Sequence, residues 1–364
     1  MRWDFSSKLR MNYEPIVAPV PLEFGTAIHA ALEVYYDPQL WRTPRAAVEA
    51  AAIGRFIEVC NEQKARHLAA TDQDDLVYEK DVEFQNRVTL GTGMLRNYFA
   101  WAPEHDKVIE PVLTEIEFEV PIVIPDDVLP KVKLPFDALW VKEAQRHELV
   151  IWQDNQWVPV VYQGRVDLIV RELLPPHRYW IWDHKTVGQM GSTEWLEMDD
   201  QGGSYIWALR EKLGLNIAGV VYNQLLKDYP KPPVALQGGG FSKNKQQRTT
   251  YEVYRRTLEE AGEPLEPYAD FLNFLRAQPD RFNRRVQIHR STTEIANLER
   301  AICLEAMDML GNPAIYRNAG PFNCMGCAYK APCLAHADGQ DVEFILNQYY
   351  RKRDDDRDTG TARF

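Results

Sequence analysis

The sequence predicts an α/β fold: a central sheet flanked by helices, with further helical additions. Three observations carry this. Residues 113–185 form a succession of β-branched and aromatic segments separated by turns: VLTEIEFEVPIVI, LPFDALWV, ELVIW, WVPVVYQGRVDLIV and YWIWDHK. Helical periodicity precedes them and returns after them. One further strand, IAGVVYNQLL, follows a helix rather than a tight turn, so the sheet is mostly antiparallel but not wholly so.

Taken in order, residues 26–36 (TAIHAALEVYY) place Ile28, Leu32 and Tyr35 on one helical face. Residues 44–69 and 80–102 also read as helices. After the strands comes a helix over 201–213, with Gly214 as its C-cap. Residues 228–250 (DYPKPPVALQGGGFSKNKQQRTT) are rich in Pro, Gly, Lys and Gln and read as a mobile loop. Helices are expected at 251–261, 266–277, 293–310 and 341–350. These elements form a single domain over 1–350. It has an N-terminal helical part at 20–104, a core at about 105–227 and a C-terminal helical and cysteine-bearing part at 250–350. The tail at 351–364, RKRDDDRDTGTARF, reads as disordered.

The chain has 364 residues, 45% hydrophobic and 26% charged, which is the composition of a soluble globular protein. No apolar run reaches the length of a membrane span, and Met1 to Pro15 lacks the pattern of a secretory signal. A reducing, cytoplasmic compartment is therefore expected. The formal charge of −11 argues against a protein that coats nucleic acid through a general positive field. An enzyme with a local basic track and bound metal ions is still compatible with it. Five cysteines without a signal peptide do not make a disulfide framework. Cys324, Cys327 and Cys333 fall within ten residues, which points to a metal site.

The chemistry concentrates in GRVDLIV (164–170) and YWIWDHKT (179–186). Alternate residues of a strand share a face, so Asp183 and Lys185 point the same way, and Arg165, Asp167 and Ile169 do so on the other strand. Leu174, Pro175 and Pro176 separate the two strands. A hairpin centred on residue 175 sets Asp167 opposite Asp183, with Cβ atoms about 4.5–5.5 Å apart. Two carboxylates so placed repel unless one takes a proton or a cation lies between them. Their hard oxygens suit Mg²⁺ or Mn²⁺. Lys185 projects beside such an ion, able to polarise a phosphate or orient a water. The plain alternative is a surface hairpin with an ordinary ion pair, Asp183 with Arg165 or Lys185.

These residues resemble the PD-(D/E)XK nuclease superfamily in its RecB-like branch. Phe24–His29 resembles that branch's G-x-x-x-H helix, Gly164–Asp167 the first acidic motif, Asp183–Thr186 the D-x-K motif, and Gln201 with Tyr205 the Q-x-x-x-Y motif. Cys324-x2-Cys327-x5-Cys333 resembles the C-terminal part of an iron–sulfur site found in CRISPR-associated exonucleases and AddB-type helicase–nuclease subunits. The GGFSKNKQQRTTYEVY segment is similar to bacteriophage exonucleases of the group.

The resemblance implies a restriction-endonuclease-like core, a four-to-five-stranded mixed sheet, and a C-terminal segment stapled by metal. It implies metal-dependent cleavage of DNA by in-line attack of water. Asp167, Asp183, Lys185, Gln201 and Tyr205 are its catalytic group, and the metal is held by His29, Asp167, Asp183 and the backbone carbonyl of His184. Glu33, one turn from His29, could orient that ring. Glu115, Glu117 and Glu119 share one face of a strand and read as solvated, with Glu117 able to approach the site.

The cysteines hold a [4Fe–4S] cluster by resemblance. The family's fourth cysteine, upstream of the G-x-x-x-H helix, is missing from the first 24 residues. Local spacing offers instead a zinc site of Cys324, Cys327, Cys333 and His336. Lys243, Lys245 and Arg248 either form a solvated loop or grip the DNA backbone. The expected partners are DNA and a recombinase, annealing protein or helicase, in a phage or bacterial setting. Three classes of function remain open: a DNA exonuclease, a structure-specific endonuclease, and a catalytically inactive DNA-binding or assembly module.

Overall fold

The computed structural model describes residues 13–16, 20–69, 74–133, 136–153, 155–311, 319–320, 324, 327–352 and 362–363. Strand β1 (Tyr13–Pro15) leads into helices α1 (Val20–Tyr35), α2 (Arg45–Ala69) and α3 (Asp74–His105). Strands β2 (Ile109–Pro121), β3 (Phe136–Val141), β4 (Arg146–Gln153), β5 (Gln156–Glu172) and β6 (Tyr179–Val187) follow. Helix α4 (Asp200–Leu213) connects β6 to β7 (Ile217–Leu226). Next come α5 (Tyr251–Glu260), α6 (Ala269–Arg276), β8 (Asn283–His289) and α7 (Thr292–Gly311). The C-terminal elements are α8 (Lys330–Ala337), α9 (Val342–Tyr349), β9 (Tyr350–Lys352) and β10 (Ala362–Arg363).

The sheet runs β3-β4-β5-β6-β7-β8, with β2 and β10 also pairing with β5. β6 and β7 are parallel, as a strand–helix–strand crossover requires, whereas β2–β5, β5–β6 and β7–β8 are antiparallel. The sheet is thus mixed and larger than the four or five strands the resemblance implies. β3 and β4 extend it past β5, and β8 adds to it beyond β7.

Alternation along the strands divides the core in two. Trp180, Trp182, Leu168, Val170, Val221 and Leu225 pack against Ile28, Leu32 and Tyr35 of α1, Phe56 of α2 and Tyr98 of α3. Ile181, Ile169, Val220 and Tyr222 pack on the opposite side against Ile206 and Trp207 of α4 and Ile302 and Cys303 of α7. Cys60 and Cys303 are buried thiols in these cores. Val166 and Ile169 lie in the same core, while Leu168 lies in the other. The two-residue rhythm therefore slips by one around Asp167. Across from this slip, Glu115 adopts a left-handed φ of 48°, and β2–β5 pairing runs through Thr114↔Leu168 and Ile116↔Val166 on either side. The single face expected for Arg165, Asp167 and Ile169 is broken at the aspartate.

Two other expectations are corrected. Arg351 and Lys352, placed in the disordered tail, pair in β9 with Glu14 and Tyr13 of β1, and Ala362–Arg363 pairs with β5. Residues 353–361 and 364 lie outside the described residues. The stretch 228–250 is irregular but folded on itself. Ala235 bridges Phe241, Val234 N–H donates to Gln247 Oε1 at 3.0 Å, and Phe241 N–H donates to the Tyr268 hydroxyl at 3.0 Å.

Candidate active site

The β5–β6 hairpin has the register that its prolines suggest. Arg171↔Tyr179, Val170↔Trp180, Ile169↔Ile181 and Leu168↔Trp182 are paired, and one further step sets Asp167 against Asp183. Instead of continuing the ladder, the backbone N–H of His184 donates to Asp167 Oδ2 at 2.7 Å. Gly164 makes this part of β5 possible. A Cβ there would stand 2.5 Å from the Phe118 ring, closer than any side chain tolerates.

Helix α1 brings a third group from the other side of the sheet. Its Gly25 faces Thr186 of β6, where a Cβ would lie at 3.7 Å from Oγ1. One turn on, His29 Nδ1 stands 3.3 Å from Asp167 Oδ1. Strand β2 supplies a fourth group. The His29 nitrogen and one oxygen each of Glu115 and Asp167 lie within 4.8 Å of one another, the metal-capable group among the described residues. Glu115, not Glu117, reaches the site, and Arg165 pairs with it at 2.9 Å. Glu33 is exposed, and the partner of His29 is the Asp167 carboxylate.

Asp183 stands beside this group, with Lys185 Nζ 2.7 Å from its Oδ2. That buried oxygen makes close ionic contact but no well-directed hydrogen bond. The ion pair allowed by the plain reading of the hairpin does exist, but inside a cluster of carboxylates. Lys185 also donates to Gln201 Oε1 at 3.1 Å, and Gln201 Nε2 donates to the Tyr205 hydroxyl at 3.0 Å. Both come from the first turns of α4, where Asp199 caps the helix by accepting from Gln201 N–H, a contact worth about 1 kcal/mol. The i, i+4 spacing of Gln201 and Tyr205 thus becomes a hydrogen-bond chain that runs from Lys185 through Gln201 to the Tyr205 hydroxyl.

The charges are unevenly settled. Burial pushes Asp183 up; Lys185 opposes this and Asp167 adds to it, leaving it at about 6. Burial would also raise Asp167, but the hydrogen bond and charge of His29 outweigh it and hold it down at about 2. His29 itself is raised: burial lowers it, and Asp167, Asp183 and Glu115 more than compensate. Burial raises Glu115. Three crowded carboxylates with one imidazole nitrogen are a hard, mostly oxygen donor set that fits a divalent cation.

Behind the site lies a network that sequence reading missed. His184 is buried, and burial pushes its pKa down to about 3, so its ring is neutral. Asn223 Nδ2 donates to its Nδ1 at 2.9 Å and to the Tyr98 hydroxyl at 2.9 Å. Arg285 of β8 donates to the Tyr36 and Tyr98 hydroxyls at 3.0 and 3.2 Å, pairs with Asp106 at 2.7 Å and lies over the Trp182 ring at 4.2 Å. β8 escaped recognition because NRRVQIH opens on three polar residues, of which Asn283 is buried and Arg285 joins this network, leaving only Val286 and Ile288 as apolar side chains packed on the core.

The sequence profile of the PD-(D/E)XK nuclease superfamily matches residues 1–334. The chain belongs to the PD-(D/E)XK nuclease superfamily. No curated protein matches it as a relative. Membership brings nuclease activity as a class, and with it a nucleic-acid substrate and the use of divalent metal common in the superfamily. Among the described residues, no helix is long and apolar enough to cross a membrane.

Within this PD-(D/E)XK chain the other candidate residues are dispersed. Lys243 Nζ donates to the Pro267 carbonyl at 3.0 Å and lies over Tyr268, and Lys245 lies over Phe274. Arg248 pairs loosely with Asp228 at 3.5 Å. Cys324, Cys327 and Cys333 are half-buried. Around one zinc, thiolate sulfurs stand within about 4 Å of each other. Cys324, Cys327, Cys333 and His336 form no such group among the described residues.

His29→Ala is expected to raise the divalent-metal concentration for half-maximal cleavage by about tenfold or more, with a smaller effect on DNA affinity. A metal titration of rate and a fluorescence anisotropy titration of DNA separate the two. An unchanged metal titration in a destabilised variant would leave His29 as packing alone.

Proposed function

We propose that this chain is a Mg²⁺- or Mn²⁺-dependent DNA exonuclease acting in recombination or DNA end processing, in a phage or bacterial setting. The observation that carries the reading is the convergence of His29, Glu115 and Asp167 beside the Asp183–Lys185 pair at the end of the β5–β6 ladder. His29, Asp167 and Asp183 hold the metal, and Glu115 joins them. The backbone carbonyl of His184, next to Asp183, is the further ligand that the likeness to the family implies. A divalent ion supplies positive charge to the phosphodiester oxygens and lowers the pKa of water.

The remaining work falls to side chains. Lys185 presents its ammonium to the scissile phosphate or to the attacking water. Gln201 and Tyr205 hold Lys185 and meet the adjoining phosphates with an amide and a phenol. Burial pushes the Tyr205 pKa up to about 12, so it remains a neutral donor. Lys243, Lys245 and Arg248 add positive charge along the DNA path. The choice of DNA and of exonucleolytic cleavage is supported by the likeness to RecB-like and bacteriophage exonucleases. It also fits a recombinase, annealing protein or helicase as partner.

The test is digestion of 5′- and 3′-end-labelled linear DNA and closed-circular DNA with Mg²⁺ or Mn²⁺. An exonuclease degrades the linear forms, releases one end label first and spares the circle. Nicked or linearised circles would overturn the exonuclease assignment in favour of an endonuclease. No cleavage of any DNA would overturn the reading altogether.

A metal centre on Cys324, Cys327 and Cys333 is the second part of the proposal, and [4Fe–4S] is preferred to Zn²⁺. Supporting it, Cys327 N–H closes a turn onto the Cys324 carbonyl at 3.4 Å. Cys327 packs with Tyr13, Tyr329 and Tyr350, where β1 meets β9. Cys327 thus lies where the segment upstream of α1 meets the C-terminal segment. Anaerobically purified protein is expected to be brown, with broad absorbance near 400 nm that is lost on oxidation, and Cys→Ser variants to be colourless. A colourless protein with one tightly held zinc favours the Cys324, Cys327, Cys333 and His336 site. Metal-free protein that is folded and fully active would sink both.

A further inference from the structure

Beyond the end of β6 lies a cleft of about 710 Å³, separate from the metal-capable group. One wall is Gly188–Met190, directly after β6, and the other is Ala277–Arg281, with Arg248 and Leu226 completing it. Two arginines, Arg248 and Arg281, line this space. Arg281 is half-buried and donates to the carbonyls of Thr249 and Lys245 at 3.4 and 3.0 Å. Burial and the nearby charge of Arg248 both push its pKa down, so the arginines lie close enough to repel. Asp228, which pairs with Arg248, and Asp280, in the cleft wall, oppose them.

Two close guanidinium groups cost free energy that a shared anion returns. On a chain of net charge −11, such a pair is not part of a general positive surface. Its place suggests which anion. Gly188 is three residues beyond Lys185 along an extended strand, about 10 Å at 3.3 Å per residue. A strand that runs from the site past the end of β6 therefore reaches the cleft within a few nucleotides of the scissile bond.

We propose that Arg248 and Arg281 form a phosphate subsite that holds the substrate strand a few nucleotides from the cleaved bond. This rests on the nuclease reading above. Arg281 binds the phosphate, Arg248 shares it, and Gln189 and Gln278 border it with neutral amides.

The probe is a single-stranded 8-mer with a 3′ fluorescein label, carrying either a 5′-phosphate or a 5′-hydroxyl. Its binding is followed by anisotropy in EDTA, where nothing is cleaved, over a series of salt concentrations. The Arg248→Gln/Arg281→Gln variant is expected to bind about tenfold more weakly. Its slope of log K against log salt should flatten by about 0.7–1.4, one or two phosphate contacts on a single strand. Because Arg281 also ties down the 245–249 segment, Gln278→Glu is the companion variant. It brings a negative charge into the cleft, leaves those hydrogen bonds in place, and is expected to weaken binding likewise.

Equal losses with both 5′ ends identify an internal phosphodiester as the ligand. A loss confined to the 5′-phosphoryl probe identifies a terminal phosphate. Unchanged affinity and slope in both variants, with wild-type protein that binds and digests DNA, would overturn the subsite and leave the nuclease reading standing. Wild-type protein that neither binds the probe nor cleaves DNA would overturn both.

Discussion

Asp183→Ala and Lys185→Ala are each expected to abolish DNA cleavage in a chain that remains folded. The loss should be about 10²–10³-fold for Lys185, the cost of removing a preorganised charge from the reacting phosphate, and at least as great for Asp183. Stability should move little, or upward, at Asp183. Its carboxyl is buried beside Asp167 and pushed up to about 6, so replacing it removes a charge that burial disfavours. Lys185 holds no buried core; its contacts are Asp183 and Gln201. The measurements are rate on end-labelled DNA and urea unfolding of the same preparations. Full activity in either variant, free of host nuclease, would falsify the site assignment. Lost activity that tracks a lost fold would not support it.

The second large effect lies behind the site. Arg285→Met is expected to destabilise the protein by about 3–5 kcal/mol, the usual penalty for stranding one partner of a buried ion pair. Arg285 and Asp106 are both largely buried, at 12% and 5% side-chain exposure. Without the guanidinium, the hydrogen-bond partner left to Asp106 among the described residues is the Tyr36 hydroxyl, at 3.0 Å. Adding Asp106→Leu should recover most of the loss, because no charge is then stranded.

The pH dependence has a definite sign. Burial raises Asp106 above its ordinary value even against Arg285, and removing Arg285 raises it further. A carboxyl with a higher pKa folded than unfolded takes up a proton on folding, so its contribution to stability is larger at low pH. The deficit of Arg285→Met should therefore shrink as pH falls through the raised pKa of Asp106. A small, pH-independent deficit by urea unfolding would mean that the network is not a buried charge pair in solution.

The chain by itself determined what local rules govern. Period-two alternation set Asp183 and Lys185 on one face, and the prolines after Leu174 set the hairpin register that brings Asp167 opposite Asp183. Helical spacing placed Ile28, Leu32 and Tyr35 in the core and aligned Gln201 with Tyr205. Each of these relations spans one turn or one hairpin, where geometry follows from sequence distance.

Tertiary structure decided the rest. Glu115 looked like its neighbours Glu117 and Glu119, and only pairing with β5, some fifty residues away, set it at the slip beside Asp167. His29 became a partner of Asp167 because α1 packs across the opposite face of β6. Arg285 and Arg281 carried no local signal at all. A buried cation reads as a surface residue until the carboxylate, hydroxyls or carbonyls that receive it are in place. Those groups come from Tyr36 just past α1, Tyr98 of α3, Asp106 just past α3 and the 245–249 segment, brought together by burial of apolar faces that no short stretch of sequence records.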